Sequence, residues 1–318
     1  MGINGADLIG LAQSIDGYNK LSDSLRVLVN KETKGMLIGF IGILIFSLTL
    51  PVSKIAILSF DPYFIAFGRA CLAGLAALIY LIYKKAPFPS KTELIKFVVI
   101  ALGVVFGFPI FTTVAMKEGS SSHGAVILGM MPLATTVIGV IRFKERPSLG
   151  FWIVSLLGAA LVVIYALLKS SGSFTYIDVL LVLGGICACV GYVEGGALSR
   201  KMDPRAVISW ALVISLPINV MMALVSVKSD YWSADILAWT SFLYLGLFSM
   251  FLGFFFWYEG LAVGGIARVS QVQLIQPFCT LVAASILLGD HITFMNMVFA
   301  CLVVSTVILS KKMLIKRR

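Results

Sequence analysis

The chain has 318 residues, of which 59% are hydrophobic and 13% charged, with a mean hydropathy of +1.01. A soluble globular domain has about 25% charged residues, and a water-soluble core cannot absorb this much apolar surface. The net charge of +10 does not mark a nucleic-acid binder, because the basic residues sit in short connections between long apolar runs.

Residues 1–34 lack the charged start, apolar middle and cleavage site of a secretory signal. Leu8, Leu11, Ile15, Tyr18, Leu21, Leu25 and Leu28 recur every three or four residues, as in a helix lying on a membrane surface; a frayed tail with helical tendency fits the same spacing. A bilayer span needs about 20 apolar residues. Such runs are predicted near 36–57, 62–83, 94–116, 122–142, 149–168, 178–198, 206–227, 237–260, 267–288 and 292–310. The expected architecture is therefore an all-α integral membrane protein of ten transmembrane helices. These runs are continuously apolar, which excludes a membrane β-barrel with its alternating strands of about 10 residues.

Counting basic residues by connection supports an even number of spans. Twenty of the 25 fall on the side of both termini, whereas only Lys54, Lys117, Lys169 and Lys228 fall opposite, and Arg69 lies inside a span. Both termini are thus expected to be cytoplasmic in a multi-pass cell membrane protein, with a basic tail at 313–318. Cys71, Cys187, Cys189, Cys279 and Cys301 all lie within spans, with no loop pair placed for a disulfide. With two histidines in the chain, no metal-ligand set and no cofactor site are expected.

Ionisable and polar side chains inside the spans are the functional candidates, because each is costly in hydrocarbon. Arg69, seven residues after Pro62, lies about 10 Å inside the second span at about 1.5 Å per residue. It could meet a substrate carboxylate through a bidentate fork, or bond structurally to helix-end carbonyls. Glu194 and Glu259, near the ends of their spans, could bind an amino group or a coupling proton, or rest at headgroup depth. Lys54 is expected to reach toward the outer surface. Gln273, Gln276 and Thr280 share a face of the ninth span, which turns either to a water-filled cavity or to another helix. Tyr192, Trp210, Phe254, Trp257 and Tyr258 are aromatic candidates for pocket lining, or for packing. Pro51, Pro109, Pro132, Pro217 and Pro277 each remove a backbone donor within a span and are hinge candidates.

The chain also repeats itself. A shift of 145 residues places Gly119 on Gly264, Pro132 on Pro277, Thr135 on Thr280, Val137 on Val282 and Glu145 on Asp290. Five spans per copy is odd, so the second copy enters the membrane from the opposite face. That predicts two inverted five-helix repeats, 35–169 and 174–312, after an N-terminal segment 1–34. In transporters such an arrangement places substrate near the midplane, between halves that rock in alternation.

Leu50-Pro51-Val52-Ser53-Lys54, Phe67-Gly68-Arg69-Ala70-Cys71, Gly124-Ala125 with Pro132-Leu133, Phe143-Lys144-Glu145, Gln276-Pro277 and Leu288-Gly289-Asp290 resemble the ten-helix EamA-type exporters of the drug/metabolite transporter superfamily over residues 35–312. Phe46-Ser47 stands where that family usually has Trp-Gly before the lysine, and the N-terminal segment lies outside its pattern. The resemblance implies a secondary transporter of the bacterial inner membrane, exporting a small amphipathic metabolite such as an amino acid by alternating access. A sugar-phosphate or nucleotide-type carrier would want several deep cations, whereas Arg69 stands alone in the spans. A membrane-embedded lipid-handling or sensory protein is the alternative of another class. An enzyme is not expected, since neither H-E-x-x-H nor G-x-S-x-G occurs. The expected partners are a small-molecule substrate, the lipid bilayer and, if transport is proton-coupled, a proton; monomer and homodimer both remain open.

Overall fold

A computed structural model describes residues 30–119, 121–129, 131–143, 146–169, 175–289, 293–313 and 315–316. Glu145, Asp290 and the apolar stripe from Leu8 to Leu28 lie outside them. The helices are α1 (Asn30–Ala56), α2 (Pro62–Tyr83), α3 (Lys91–Glu118), α4 (Ser121–Leu128), α5 (Met131–Phe143), α6 (Leu149–Lys169), α7 (Tyr176–Leu198), α8 (Pro204–Ser226), α9 (Ile236–Gly264), α10 (Ile266–Leu288) and α11 (Phe294–Lys311). Seven of them, α1, α2, α3, α7, α8, α9 and α10, are long and apolar enough to cross a bilayer. Shorter apolar stretches occupy α5, α6 and α11. The chain is an all-helical integral membrane protein. Beyond its helices, Arg146–Pro147 (β1) pairs antiparallel with Ile315–Lys316 (β2), tying the connection before α6 to the chain after α11.

The helix starts follow local chemistry. Asp61 before Pro62 and Asp203 before Pro204 each accept a bond from the backbone two residues on, at 2.9 and 3.0 Å, while proline supplies the helical φ and lacks a donor that would go unpaired. Ser90 with Glu93, and Thr175 with Asp178, form reciprocal capping boxes. Between α9 and α10 the chain reverses at Gly265, whose φ of 87° is open to glycine and strained for other residues.

Several spans depart from regular α-helix, and the departures fall around one region. Residues 101–107 of α3 and Tyr244–Leu252 of α9 are π-helical, a widened geometry that collects at functional sites. In α3 the wide turn ends beside Pro109, which has no N–H and crowds the carbonyl four residues back. The expected fourth span is divided into α4 and α5, with Pro132 in the first turn of α5. In α10, Gln271–Ile275 is a 3₁₀ segment ahead of Gln276 and Pro277. A turn at Leu48 interrupts α1 just before Pro51, and Pro217 lies inside α8.

Close helix contact depends on glycine at two crossings. A Cβ on Gly35 of α1 would lie 2.3 Å from the Gly264 backbone nitrogen of α9, and one on Gly103 of α3 would lie 2.5 Å from the Cys187 carbonyl of α7. In a bilayer, such approach supplies the dispersion that burial of apolar surface cannot.

Candidate functional site

The irregular segments surround a cavity of about 20 Å³, room for about one water molecule. α1 contributes Phe46, Thr49 and Leu50, and α2 contributes Arg69; Val104 and Phe108 come from α3, and Leu128 and Met131 from the ends of α4 and α5. Tyr192 of α7, Ser249, Met250 and Phe254 of α9 and Gln276 of α10 complete the lining. Val104 and Ser249 lie in the two π segments, and Met131 and Gln276 each open the helix that follows a break. The breaks and wide turns are therefore what aim these side chains inward.

Arg69 dominates the electrostatics. It is 2% exposed, and among the described residues its Nε and Nη1 find no hydrogen-bond partner. Desolvating a guanidinium without an anion is strongly unfavourable, and the carbonyl ligands that would make it purely structural do not bond it. No Asp or Glu lies in the described lining. The hydroxyls of Thr49 and Ser249 bond each other at 2.8 Å across the cavity. One wall is aromatic: Phe46 stacks on Tyr192 at 6.4 Å between ring centroids and meets Phe254 edge-on at 5.1 Å. The site can thus hold an anionic group against apolar and aromatic surface.

Of the candidates read from the sequence, Arg69, Tyr192 and Gln276 come together on this cavity, with Phe254. The others lie elsewhere. Glu194 is held by Arg142 of α5, whose Nε donates to its Oε1 at 2.6 Å, and Glu259 lies 3.8 Å from Arg205 at a half-exposed position. Tyr258 is buried against Gly195 and donates to the Gly191 carbonyl at 3.1 Å. Trp210 packs edge-on against Phe88 at 5.3 Å and is not among the described lining residues. Gln273 and Thr280 are buried outside the lining, and both amide atoms of Gln273 are unpartnered among the described residues. Lys54 does not simply extend to the surface. Its Nζ donates to the carbonyls of Met116 and Gly119, at 3.0 and 2.8 Å, and so caps the C-terminal end of α3. Arg268 is buried: it donates to Glu32 at 3.0 Å and to the carbonyls of Ser310 and Met313, clasping the start of α1 to the end of α11.

Thr49, Met131 and Ser249 were not singled out from the sequence, being residue types common in any span, and Phe46 stood out only as a departure from the family pattern. The 145-residue repeat contained a usable signal, since it sets Met131 on Gln276 and Val104 on Ser249.

The fold is shared with known proteins. A solved crystal structure aligns over 88% of this chain and 98% of its own at a TM-score of 0.71, with 16% identity, which speaks for the fold alone. A Bacillus subtilis protein described as the uncharacterized transporter YdeK is 44% identical over 83% of this chain and 92% of its own length. A Salmonella typhimurium protein described as a probable amino-acid metabolite efflux pump is 24% identical over 84% of this chain and 92% of its own. The EamA-like transporter family matches residues 33–167 and, a second time, 175–311. Two matches that together span most of the sequence, and a relative similar over nearly all its length, make this chain a member of the EamA-like transporter family: a membrane transporter of the drug/metabolite superfamily, not an enzyme.

Proposed function

We propose that the protein is a ten-span secondary transporter, built from inverted repeats at 35–169 and 174–312, which exports a small amphipathic metabolite by alternating access around the Arg69 cavity. Both termini face the cytoplasm of a bacterial inner membrane in this reading. The observation that carries it is the buried guanidinium of Arg69, whose Nε and Nη1 have no bonded partner among the described residues and which faces a cavity with no acidic residue in its described lining. A substrate carboxylate or similar anion satisfies Arg69 through paired hydrogen bonds, while the rest of the molecule lies against Phe46, Tyr192 and Phe254. The present cavity volume corresponds to a contracted state, which widens to admit substrate.

Inverted repeats receive support beyond the sequence. The 145-residue shift carries Gly107, which ends the first π segment, onto Leu252, which ends the second. It also carries the break before Met131 onto the 3₁₀ segment before Gln276. Paired discontinuities of this kind flank substrate sites in transporters with inverted repeats. An amino acid is the leading example of the substrate, in line with the name of the Salmonella relative. Its ammonium would rest on aromatic faces and neutral oxygens. The single cation in the described lining disfavours sugar phosphates, which need several.

Thermal unfolding of the protein in nanodiscs, with a panel of amino acids, monocarboxylates, nucleosides and sugar phosphates, tests the reading. Stabilisation by carboxylate-bearing solutes and none by their amides is expected, because only the anion satisfies Arg69. Equal stabilisation by acid and amide would sink it.

A further inference from the structure

Two apolar grooves open on the outer face of the bundle. One, of about 340 Å³, runs between α5 and α7 and is rimmed by Val137, Val182 and Ile186, which are 37%, 41% and 49% exposed. The other, of about 440 Å³, runs between α10 and α1 and is rimmed by Leu44, Val282 and Ile286. They are built from corresponding residues. The 145-residue shift carries Leu133, Ala134, Val137 and Ile138 of the first onto Phe278, Cys279, Val282 and Ala283 of the second, and Leu44 of the second onto Cys189 of the first. The grooves thus belong to the repeat rather than to chance packing.

They differ in one respect. Leu128 and Met131 line both the α5/α7 groove and the Arg69 cavity, whereas among the described residues none that lines the α10/α1 groove also lines the cavity. Both side chains sit at the break between α4 and α5, where the backbone is already interrupted. Gly185 of α7 lies directly behind them, and a Cβ there would touch only Leu128 at 3.4 Å and Met131 at 3.5 Å. Two flexible side chains at a helix break, backed by glycine, therefore separate a hydrocarbon-facing groove from a buried cation.

We propose that the α5/α7 groove is a lateral portal, and that the substrate is a single-chain organic anion whose head binds Arg69 while its hydrocarbon chain passes between Leu128 and Met131 into the groove. The inference rests on the transport reading and narrows its substrate class. The charge of Arg69 and the continuity of cavity with groove together select a molecule with an anionic head and an apolar chain. In the membrane, the exposed part of the chain meets lipid tails and needs no protein cover.

The test is counterflow in proteoliposomes of labelled butanesulfonate and decanesulfonate, anions that stay ionised and so do not cross the bilayer as neutral acids. The variants are Arg69→Gln and, at the groove rim, Ile186→Trp, with Val182→Trp as the second rim variant should the first not fold. Exchange of both probes by wild type, loss of both in Arg69→Gln, and selective loss of decanesulfonate in the rim variant are expected. Butanesulfonate exchange by that variant also certifies its fold. Decanesulfonate exchange at the wild-type rate in the rim variant overturns the portal. Wild-type exchange of butanesulfonate alone overturns the long-chain substrate and leaves the transport reading standing. Exchange of neither probe by folded wild type overturns the inference together with anion recognition at Arg69.

Discussion

At the scale of the residue, the central fact is a charge placed where it costs stability. A cation in the interior of a membrane span is unfavourable by about 2.5 to 3.5 kcal/mol, and the buried Nε and Nη1 of Arg69 have no bonded partner among the described residues to offset it. Arg69→Met is therefore expected to raise the unfolding midpoint in nanodiscs, by the equivalent of about 1 to 3 kcal/mol; a lowered midpoint would mean that the guanidinium is structurally bonded. Gln273 offers a second case. Its amide is buried and unpaired, while the corresponding position of the first repeat is Leu128. Gln273→Leu removes two unsatisfied groups, each worth about 1 to 3 kcal/mol, so stabilisation measured by the same melting is expected, and destabilisation would contradict it. Arg69 was legible in the sequence because an arginine within an apolar run has few explanations. Glu194, Tyr258 and Trp210 looked equally promising, but their partners are Arg142, Gly191 and Phe88, and nothing local in the sequence announces a contact across helices. The carbonyl partners of Lys54, which lie on α3 and at its C-terminal cap, could not be read from the sequence for the same reason.

At the scale of the element, hydropathy placed the seven long apolar helices closely, since a bilayer demands long apolar runs and Asp-Pro and capping-box signals mark several of their starts. What it could not show was helix type. A π turn, a 3₁₀ turn and an α turn are equally apolar, so the segments at 101–107 and Tyr244–Leu252 left no trace in composition, and only prolines such as Pro51, Pro109, Pro132 and Pro277 hinted at irregularity. Glycine behaves likewise: 29 occur in the chain, and the sequence alone does not say which are indispensable. The geometry separates them. Gly103→Ala places its Cβ against backbone atoms of Cys187 and Gly191, at 2.5 and 3.0 Å, so α3 and α7 must part. A loss of about 1 to 3 kcal/mol is expected. Gly185→Ala meets only side-chain atoms at 3.4 and 3.5 Å and should melt within about 0.5 kcal/mol of wild type. Equal effects from the two substitutions would mean that the α3–α7 approach is looser than described.

At the scale of the whole molecule, the proposed arrangement sets two halves of opposite orientation around one cation. Basic-residue bias predicts that cysteines introduced at Lys84 and Lys201 react with a membrane-impermeant maleimide only from the cytoplasmic side, and one at Lys228 only from outside. Labelling of all three from one side would refute the even, inverted arrangement. The family and the helical membrane character could be read from scattered motifs and long apolar runs, because these survive where exact side chains do not. The makeup of the cavity could not, because it draws side chains from eight helices whose order in space the sequence does not state. The most direct test of the central claim, that Arg69 holds the substrate's anionic group, is counterflow in proteoliposomes at matched protein content, comparing wild type, Arg69→Lys and Arg69→Met. Saturable exchange of a carboxylate-bearing solute by wild type, weakened in Arg69→Lys and lost in Arg69→Met, is the predicted result; exchange of that solute by Arg69→Met at the wild-type rate would contradict the account.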